Sequence, residues 1–158
     1  MSTHEEQLHP AAVSQVMINF ALHRGMDRAS CLLGTGISEE ALSSADGMVS
    51  RAQEMRLIEN MMLALPDGPA MGFELGLQYS LATFGAWGFA LRTSRTLRDA
   101  VLIGMRYLPL STVYCKIALI DDDDECGVSL DPSVISPHLR QFLLERDKIG
   151  RAACRERV

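Results

Sequence analysis

Apolar residues recur every three or four positions through most of the chain, a spacing that predicts amphipathic helices. The strongest prediction follows Ser50, because Ser50 and Gln53 have the spacing of a capping box and a breaker at residues 66–69 ends the stretch. Another long helix is predicted over residues 10–24, with Gly25 at its end. The other predicted helices cover residues 27–33, 70–78, 84–92 and 96–108, a short stretch after Ser38, and a last stretch from Ser136.

The spacing of apolar residues changes to two after the last of the central helices, which predicts a β-strand over residues 112–120. Residues 121–125 are typical of a polar turn and residues 126–130 of a returning strand, so the pair predicts a hairpin. A turn centred on the middle of the acidic run would place Ile120 opposite Cys126. The predicted fold class is α+β, with a mostly helical N-terminal part followed by an antiparallel β-hairpin and a further helix.

Length and composition indicate an ordinary folded protein, with 158 residues of which 47% are hydrophobic and 22% charged. The net charge of −5 provides no overall basic field, so no DNA-binding residue is predicted in this chain. The N-terminus lacks an export signal, and no apolar run approaches the roughly 20 residues of a membrane span. These features predict a cytoplasmic protein that does not bind a membrane. The four cysteines have spacings that favour neither a zinc site nor a disulfide framework.

The last ten residues, 149–158, read IGRAACRERV and have no apolar period. This string resembles the translation of a widely used sequencing adapter, so we interpret it as a non-native tail that is not part of the fold. The predicted domain then covers residues 8–147. An adapter at this point also predicts that the natural protein continues beyond it.

Two short motifs resemble known sites but fail on detail. The acidic run from Asp121 is similar to a calcium loop, yet the positions that require glycine and glutamate hold Cys126 and Pro132. Residues 27–42 resemble a helix-turn-helix, yet Glu39 lies where a recognition helix would contact bases. Histidine clusters, nucleophile elbows and phosphate loops are missing from the sequence, so no catalytic residue, metal ligand or cofactor is predicted.

Aromatic and basic residues between positions 84 and 107 form the one candidate binding site. Aromatic side chains with a few charged groups are typical of small-molecule pockets, although aromatic residues at helical spacing are more often part of a core. Both interpretations stay open at this stage. The candidate ligand-binding residues are Phe84, Trp87, Phe89, Arg92, Arg106 and Tyr107.

Three stretches carry a family resemblance, namely AMGFELG at residues 70–76, FGAWGFAL at 84–91 with TSRTLRDA at 93–100, and the hairpin that follows Tyr107 and Leu108. Their order resembles the N-terminal arabinose-binding-type domain of AraC/XylS transcription regulators. The resemblance implies a domain that senses a small-molecule effector and assists homodimerisation. It also implies that promoter DNA is bound only through a C-terminal helix-turn-helix domain, which is missing from this chain.

Two other hypotheses remain beside this interpretation. The chain could be a stand-alone small-molecule-binding or protein-interaction module with no DNA-binding partner, which predicts a native stop codon near residue 148. It could also be a small enzyme, which predicts polar groups with shifted pKa values that converge in the pocket.

Overall fold

The computed structural model describes residues 7–65, 70–121 and 126–152. The chain divides into two compact units, Met1–Pro69 and Ala70–Val158, and each unit has its own buried apolar side chains.

The described residues of the first unit form four helices and a small two-stranded sheet. Strand β1 (Leu8–Pro10) pairs antiparallel with β2 (Met48–Ser50), with His9 opposite Val49. The sequence analysis did not predict these strands, because three residues are too few to show a period of two. The helices are α1 (Ala11–His23), α2 (Arg28–Leu32), α3 (Glu39–Ser43) and α4 (Arg51–Ala64).

Capping side chains fix the starts of three of these helices, as predicted. The Ser50 hydroxyl accepts a hydrogen bond from the Gln53 N–H at 3.2 Å, and the Gln53 side-chain carbonyl accepts one from the Ser50 N–H at 2.9 Å. This reciprocal arrangement confirms the capping box before α4. Asp27 and Ser38 cap α2 and α3 in the same way, each by accepting a backbone N–H.

A buried polar pair joins the sheet of the first unit to its longest helix. Nδ1 of His9 on β1 lies 2.7 Å from Oε2 of Glu54 on α4, and both side chains are fully buried. Further along α4, the Asn60 amide donates to the carbonyl oxygens of Cys31 and Leu33. These bonds satisfy polar groups that would otherwise be costly to bury.

The second unit contains four helices and a hairpin. The helices are α5 (Met71–Gly76), α6 (Gly85–Thr93), α7 (Leu97–Arg106) and α8 (Pro137–Ala152), and the hairpin consists of β3 (Lys116–Asp121) and β4 (Cys126–Asp131). Short 3₁₀ turns lie at Leu81–Phe84, Leu108–Leu110 and Pro132–Val134. This order of helices, hairpin and last helix confirms the predicted α+β class.

Helices α5 and α8 pack closely against each other at a glycine. A Cβ atom at Gly72 would lie 2.1 Å from the carbonyl oxygen of Phe142 and 2.9 Å from Cβ of Glu145. The backbone of α8 therefore leaves room for no side chain at position 72. This contact sets the position of the second half of α8, which carries buried polar residues.

The hairpin begins later than the sequence predicts, and its register differs. Strand β3 starts at Lys116, whereas residues 112–115 are not part of the ladder, so the predicted start at 112 was wrong. Backbone groups of this segment are bonded instead by side chains of α8. Ile120 pairs with Gly127 rather than with Cys126, which pairs with Asp121. The turn at residues 122–125 lies outside the described residues.

Other sequence predictions concern membranes and thiols. Within the described ranges, none of the helices is both long enough and apolar enough to span a bilayer. Cys31, Cys115 and Cys126 are free thiols, and Cys154 lies outside the described residues. Burial raises the pKa of the Cys31 thiol, which disfavours the reactive thiolate.

Candidate functional site

A small cleft in the second unit combines aromatic and buried charged side chains. Its volume is about 30 Å³, which is room for about two water molecules. The lining consists of an aromatic side (Tyr79, Phe84 and Trp87), a backbone segment (Thr112 and Val113) and a charged pair (Arg146 and Asp147).

The aromatic side consists of Tyr79, which precedes the 3₁₀ turn, Phe84 at the end of that turn, and Trp87 on α6. The ring centroids of Tyr79 and Phe84 are 5.6 Å apart, and those of Phe84 and Trp87 are 6.0 Å apart with nearly perpendicular planes. Edge-to-face packing of this kind stabilises aromatic clusters. The indole N–H of Trp87 donates a long hydrogen bond of 3.4 Å to the carbonyl oxygen of Gly104 on α7. Both Phe84 and Trp87 remain partly exposed, so this side of the cleft is the one nearer to solvent.

The polar side is a charged pair on α8 that is almost completely buried. The side chains of Arg146 and Asp147 are 3% and 4% exposed. Nε and Nη2 of Arg146 both donate to Oδ1 of Asp147, at 3.0 and 2.8 Å. Adjacent residues on a helix do not normally face each other, so the long arginine side chain must bend to reach its neighbour.

The same two side chains bond the backbone segment that the sequence analysis assigned to a strand. Nη2 of Arg146 also donates to the carbonyl oxygen of Thr112 at 2.9 Å. Oδ2 of Asp147 accepts the Tyr114 N–H at 3.3 Å, and the Cys115 thiol lies 4.0 Å from the same oxygen. These bonds replace ladder hydrogen bonds before β3, and they offset the cost of burying two charges.

Two of the six sequence-predicted site residues, Phe84 and Trp87, line this cleft, and the other four lie outside its lining. Phe89 is 67% exposed because it follows Trp87 by two positions, which places it on nearly the opposite side of α6. Arg92 is also exposed at the end of α6. The pair Arg106 and Tyr107 is exposed, with the guanidinium carbon 5.7 Å from the ring centroid.

The sequence analysis missed the charged pair, although a signal for it was present. Leu139, Phe142 and Leu143 form the buried stripe of α8. Three and four residues after Leu143, the same stripe reaches Arg146 and Asp147. Charged residues on an apolar stripe indicate a buried, paired site, because an isolated charge would be too costly there.

The other motifs singled out in the sequence do not form a site among the described residues. No group of three or more histidine, cysteine or acidic side chains in these parts of the chain could hold a metal ion. In the segment similar to a helix-turn-helix, Arg28 forms a two-bond ion pair with Glu39. This bond lowers the pKa of the Glu39 carboxyl, so the residue at the start of α3 stays negatively charged. A negative charge there opposes contact with a phosphate backbone.

Comparisons with known proteins find relatives that are all named as regulators. An uncharacterized HTH-type transcriptional regulator of Mycobacterium tuberculosis is 34% identical over 145 residues, which are 92% of this chain and 42% of the relative. A similarly named regulator of Mycobacterium bovis gives the same values. The ornithine utilization regulator of Pseudomonas aeruginosa is 24% identical over 117 residues, which are 74% of this chain and 34% of the relative. The chain thus spans less than half the length of these relatives.

No solved structure matches the chain. A family model for the arabinose-binding domain at the N-terminus of AraC transcription regulators matches residues 25–155, which include the whole second unit up to the end of α8. The match covers far more than half of the sequence, and the relatives are themselves transcription regulators. The chain therefore belongs to the family of N-terminal arabinose-binding domains of AraC transcription regulators.

Proposed function

We propose that this chain senses a small-molecule effector for a transcription regulator, and that the effector binds in the cleft of the second unit. The observation that carries the proposal is the buried Arg146–Asp147 pair at the wall of a cleft whose other side is aromatic. Small-molecule sites combine an apolar lining with a few placed polar groups in this way. The cleft is small, so a ligand larger than water enters only when the partly exposed Phe84 and Trp87 move.

The rest of the regulatory function is proposed from the family and from the charge of the chain. Promoter DNA is bound by a helix-turn-helix domain outside this chain, because the relatives are more than twice as long and this chain is acidic. The domain works as a homodimer in the cytoplasm, and it senses its ligand rather than converting it. The Pseudomonas aeruginosa relative is named for ornithine utilization, so ornithine is one candidate effector.

Effector binding would act on the regulator by a shift of populations. Residues of α8 and the adjoining residues 112–113 both line the cleft. A ligand that contacts Arg146 or Asp147 changes the bonds that hold α8 to this segment. Because a ligand shifts an equilibrium only by its differential affinity, the two states differ in these bonds.

A melting-temperature screen of the purified chain tests the proposal. We expect one class of metabolite, from a panel of amino acids, sugars including arabinose, and organic acids, to stabilise the chain. At a concentration 100 times its Kd, the stabilisation is about 2.7 kcal/mol. The substitution Phe84→Ala should reduce the response of the melting temperature, because it removes a wall of the cleft. The matched control Phe89→Ala should keep the full response, since Phe89 lies outside the lining.

Two results would contradict the proposed site. One is a stabilising compound whose effect is the same in the wild-type chain and in Phe84→Ala. The other is equal loss of the response in Phe84→Ala and Phe89→Ala, which would place the ligand elsewhere.

A further inference from the structure

We propose that the effector is an amino acid, whose carboxylate binds Arg146 and whose ammonium group binds Asp147. This inference rests on the proposed function of the cleft, and it names the chemical class of the ligand. Three features support it, namely the donor geometry of Arg146, the charge balance of the cleft, and the depth at which the pair is buried.

The donor geometry of Arg146 favours a carboxylate. Nε and Nη2 form one edge of the planar guanidinium, and this edge takes the two oxygens of a carboxylate in a pair of parallel hydrogen bonds. In the structure both of these donors converge on the single oxygen Oδ1 of Asp147, and Nη2 also donates to the carbonyl oxygen of Thr112. A ligand carboxylate would replace this convergent contact with the two-oxygen arrangement, which is the stronger of the two.

Charge balance requires that the ligand also carry a positive group. The buried pair of Arg146 and Asp147 is neutral as a whole, and a ligand with only a carboxylate would add an uncompensated negative charge beside Asp147. A zwitterion adds no net charge, and its ammonium group can take the Asp147 oxygen from which Arg146 withdraws. Asp147 meanwhile keeps the Tyr114 N–H on its other oxygen. Arg146 then pairs with the ligand carboxylate and Asp147 with the ligand ammonium group. Both buried charges therefore keep a partner of opposite charge.

The depth of each group in the cleft fixes the orientation of the ligand. The charged pair is almost fully buried, whereas Phe84 and Trp87 are partly exposed. The charged end of an amino acid therefore lies deepest, and its side chain lies against the aromatic rings. This order fits an amino acid better than a sugar, whose hydroxyl groups are spread around the whole molecule and would face the aromatic side as well.

Fluorescence of Trp87 tests the proposal, because Trp87 is the single tryptophan of the chain and lines the cleft. The probes are L-leucine, L-phenylalanine and L-ornithine, each with its amide, which lacks the carboxylate, and its N-acetyl derivative, which lacks the ammonium. We expect at least one amino acid to change the emission, and each of its two derivatives to bind about tenfold or more weakly. L-Arabinose is the probe for the competing class.

Variants of the charged pair separate recognition from folding. Arg146→Lys keeps the positive charge but loses the two-bond edge, so we expect the affinity for the amino acid to fall about tenfold while the weak binding of the amide stays unchanged. The double variant with Arg146→Met and Asp147→Leu keeps a neutral, filled wall. It should bind the amino acid and its two derivatives equally weakly.

Each remaining outcome decides against a defined part of the account. Equal affinities for an amino acid and its derivatives would overturn the amino-acid inference while leaving the cleft as the effector site. A change of the Trp87 emission with arabinose alone would also overturn the amino-acid inference while leaving the cleft as the effector site. A third outcome is that some compound stabilises the chain, yet neither that compound nor any of the probes changes the Trp87 emission. The proposed function of the cleft would then fail together with this inference.

Discussion

Replacing Asp147 with alanine is expected to lower the free energy of unfolding by about 3–5 kcal/mol. The substitution leaves the guanidinium of Arg146 buried without the carboxylate that accepts two of its hydrogen bonds. It also removes the acceptor for the backbone N–H of Tyr114. Urea denaturation followed by far-UV circular dichroism measures the loss, with the midpoint shifting at a nearly constant slope.

The double variant with Arg146→Met and Asp147→Leu is the control for this prediction. Replacing both members of a buried ion pair with apolar residues of similar size is often neutral or stabilising, but here it also takes these partners from the Tyr114 N–H and the Thr112 carbonyl. The double variant should therefore regain only the part of the lost stability that comes from the bare guanidinium. If Asp147→Ala is no less stable than the double variant, then the pair does not carry the buried charges that the structure assigns to it.

Replacing Gly72 with alanine is expected to destabilise the chain by about 1–3 kcal/mol. The new methyl group would lie 2.1 Å from the carbonyl oxygen of Phe142, and a backbone atom cannot move aside as a flexible side chain can. The higher helix propensity of alanine recovers only part of this cost, at most about 1 kcal/mol. Because Phe142 lies one turn before Arg146, the displacement of α8 should also weaken effector binding.

Gly127 provides a matched control in the same unit. A Cβ atom at this position of β4 meets no atom within 4 Å, and its backbone does not adopt a positive φ angle. Gly127→Ala should therefore change the free energy of unfolding by no more than about 0.5 kcal/mol. Thermal unfolding of the two variants compares them directly. Equal stabilities would show that α5 and α8 do not approach as closely as the structure shows.

Local signals explain which parts of the fold could be predicted. The capping hydroxyl of Ser50 specifies the start of α4, and the breaker after Leu65 specifies its end. Each signal involves only residues within a few positions of that helix end. The same holds for α2, which Asp27 caps. Such elements depend on interactions within one turn of helix, and these can be read from spacing alone.

The start of β3 could not be predicted because it depends on residues far along the chain. Thr112 and Tyr114 alternate with apolar residues as a strand would, yet their backbone groups bond Arg146 and Asp147, more than 30 residues away. Alternation predicts which side chains can be buried, but it does not predict which groups satisfy the backbone. The one-residue error at Ile120 has a similar origin, since the length of the turn sets the register.

The cleft could be predicted only in part, for the same reason. Phe84 and Trp87 are close in sequence, and helical spacing places them near each other. Phe89 was grouped with them by composition, but its position on the helix places it on the exposed side. The charged half of the cleft comes from α8, about 60 residues later, and tertiary packing alone brings it to the aromatic side.

The indole N–H of Trp87 offers the most direct measurement of the central claim, which is that the effector binds in this cleft. As the chain has one tryptophan, its indole gives a single cross-peak in a ¹H–¹⁵N correlation spectrum. We predict that this cross-peak shifts on addition of the stabilising metabolite and reaches half of its full shift at a free concentration equal to the Kd given by the thermal stabilisation. A cross-peak that stays in place while the same metabolite raises the melting temperature would contradict the claim.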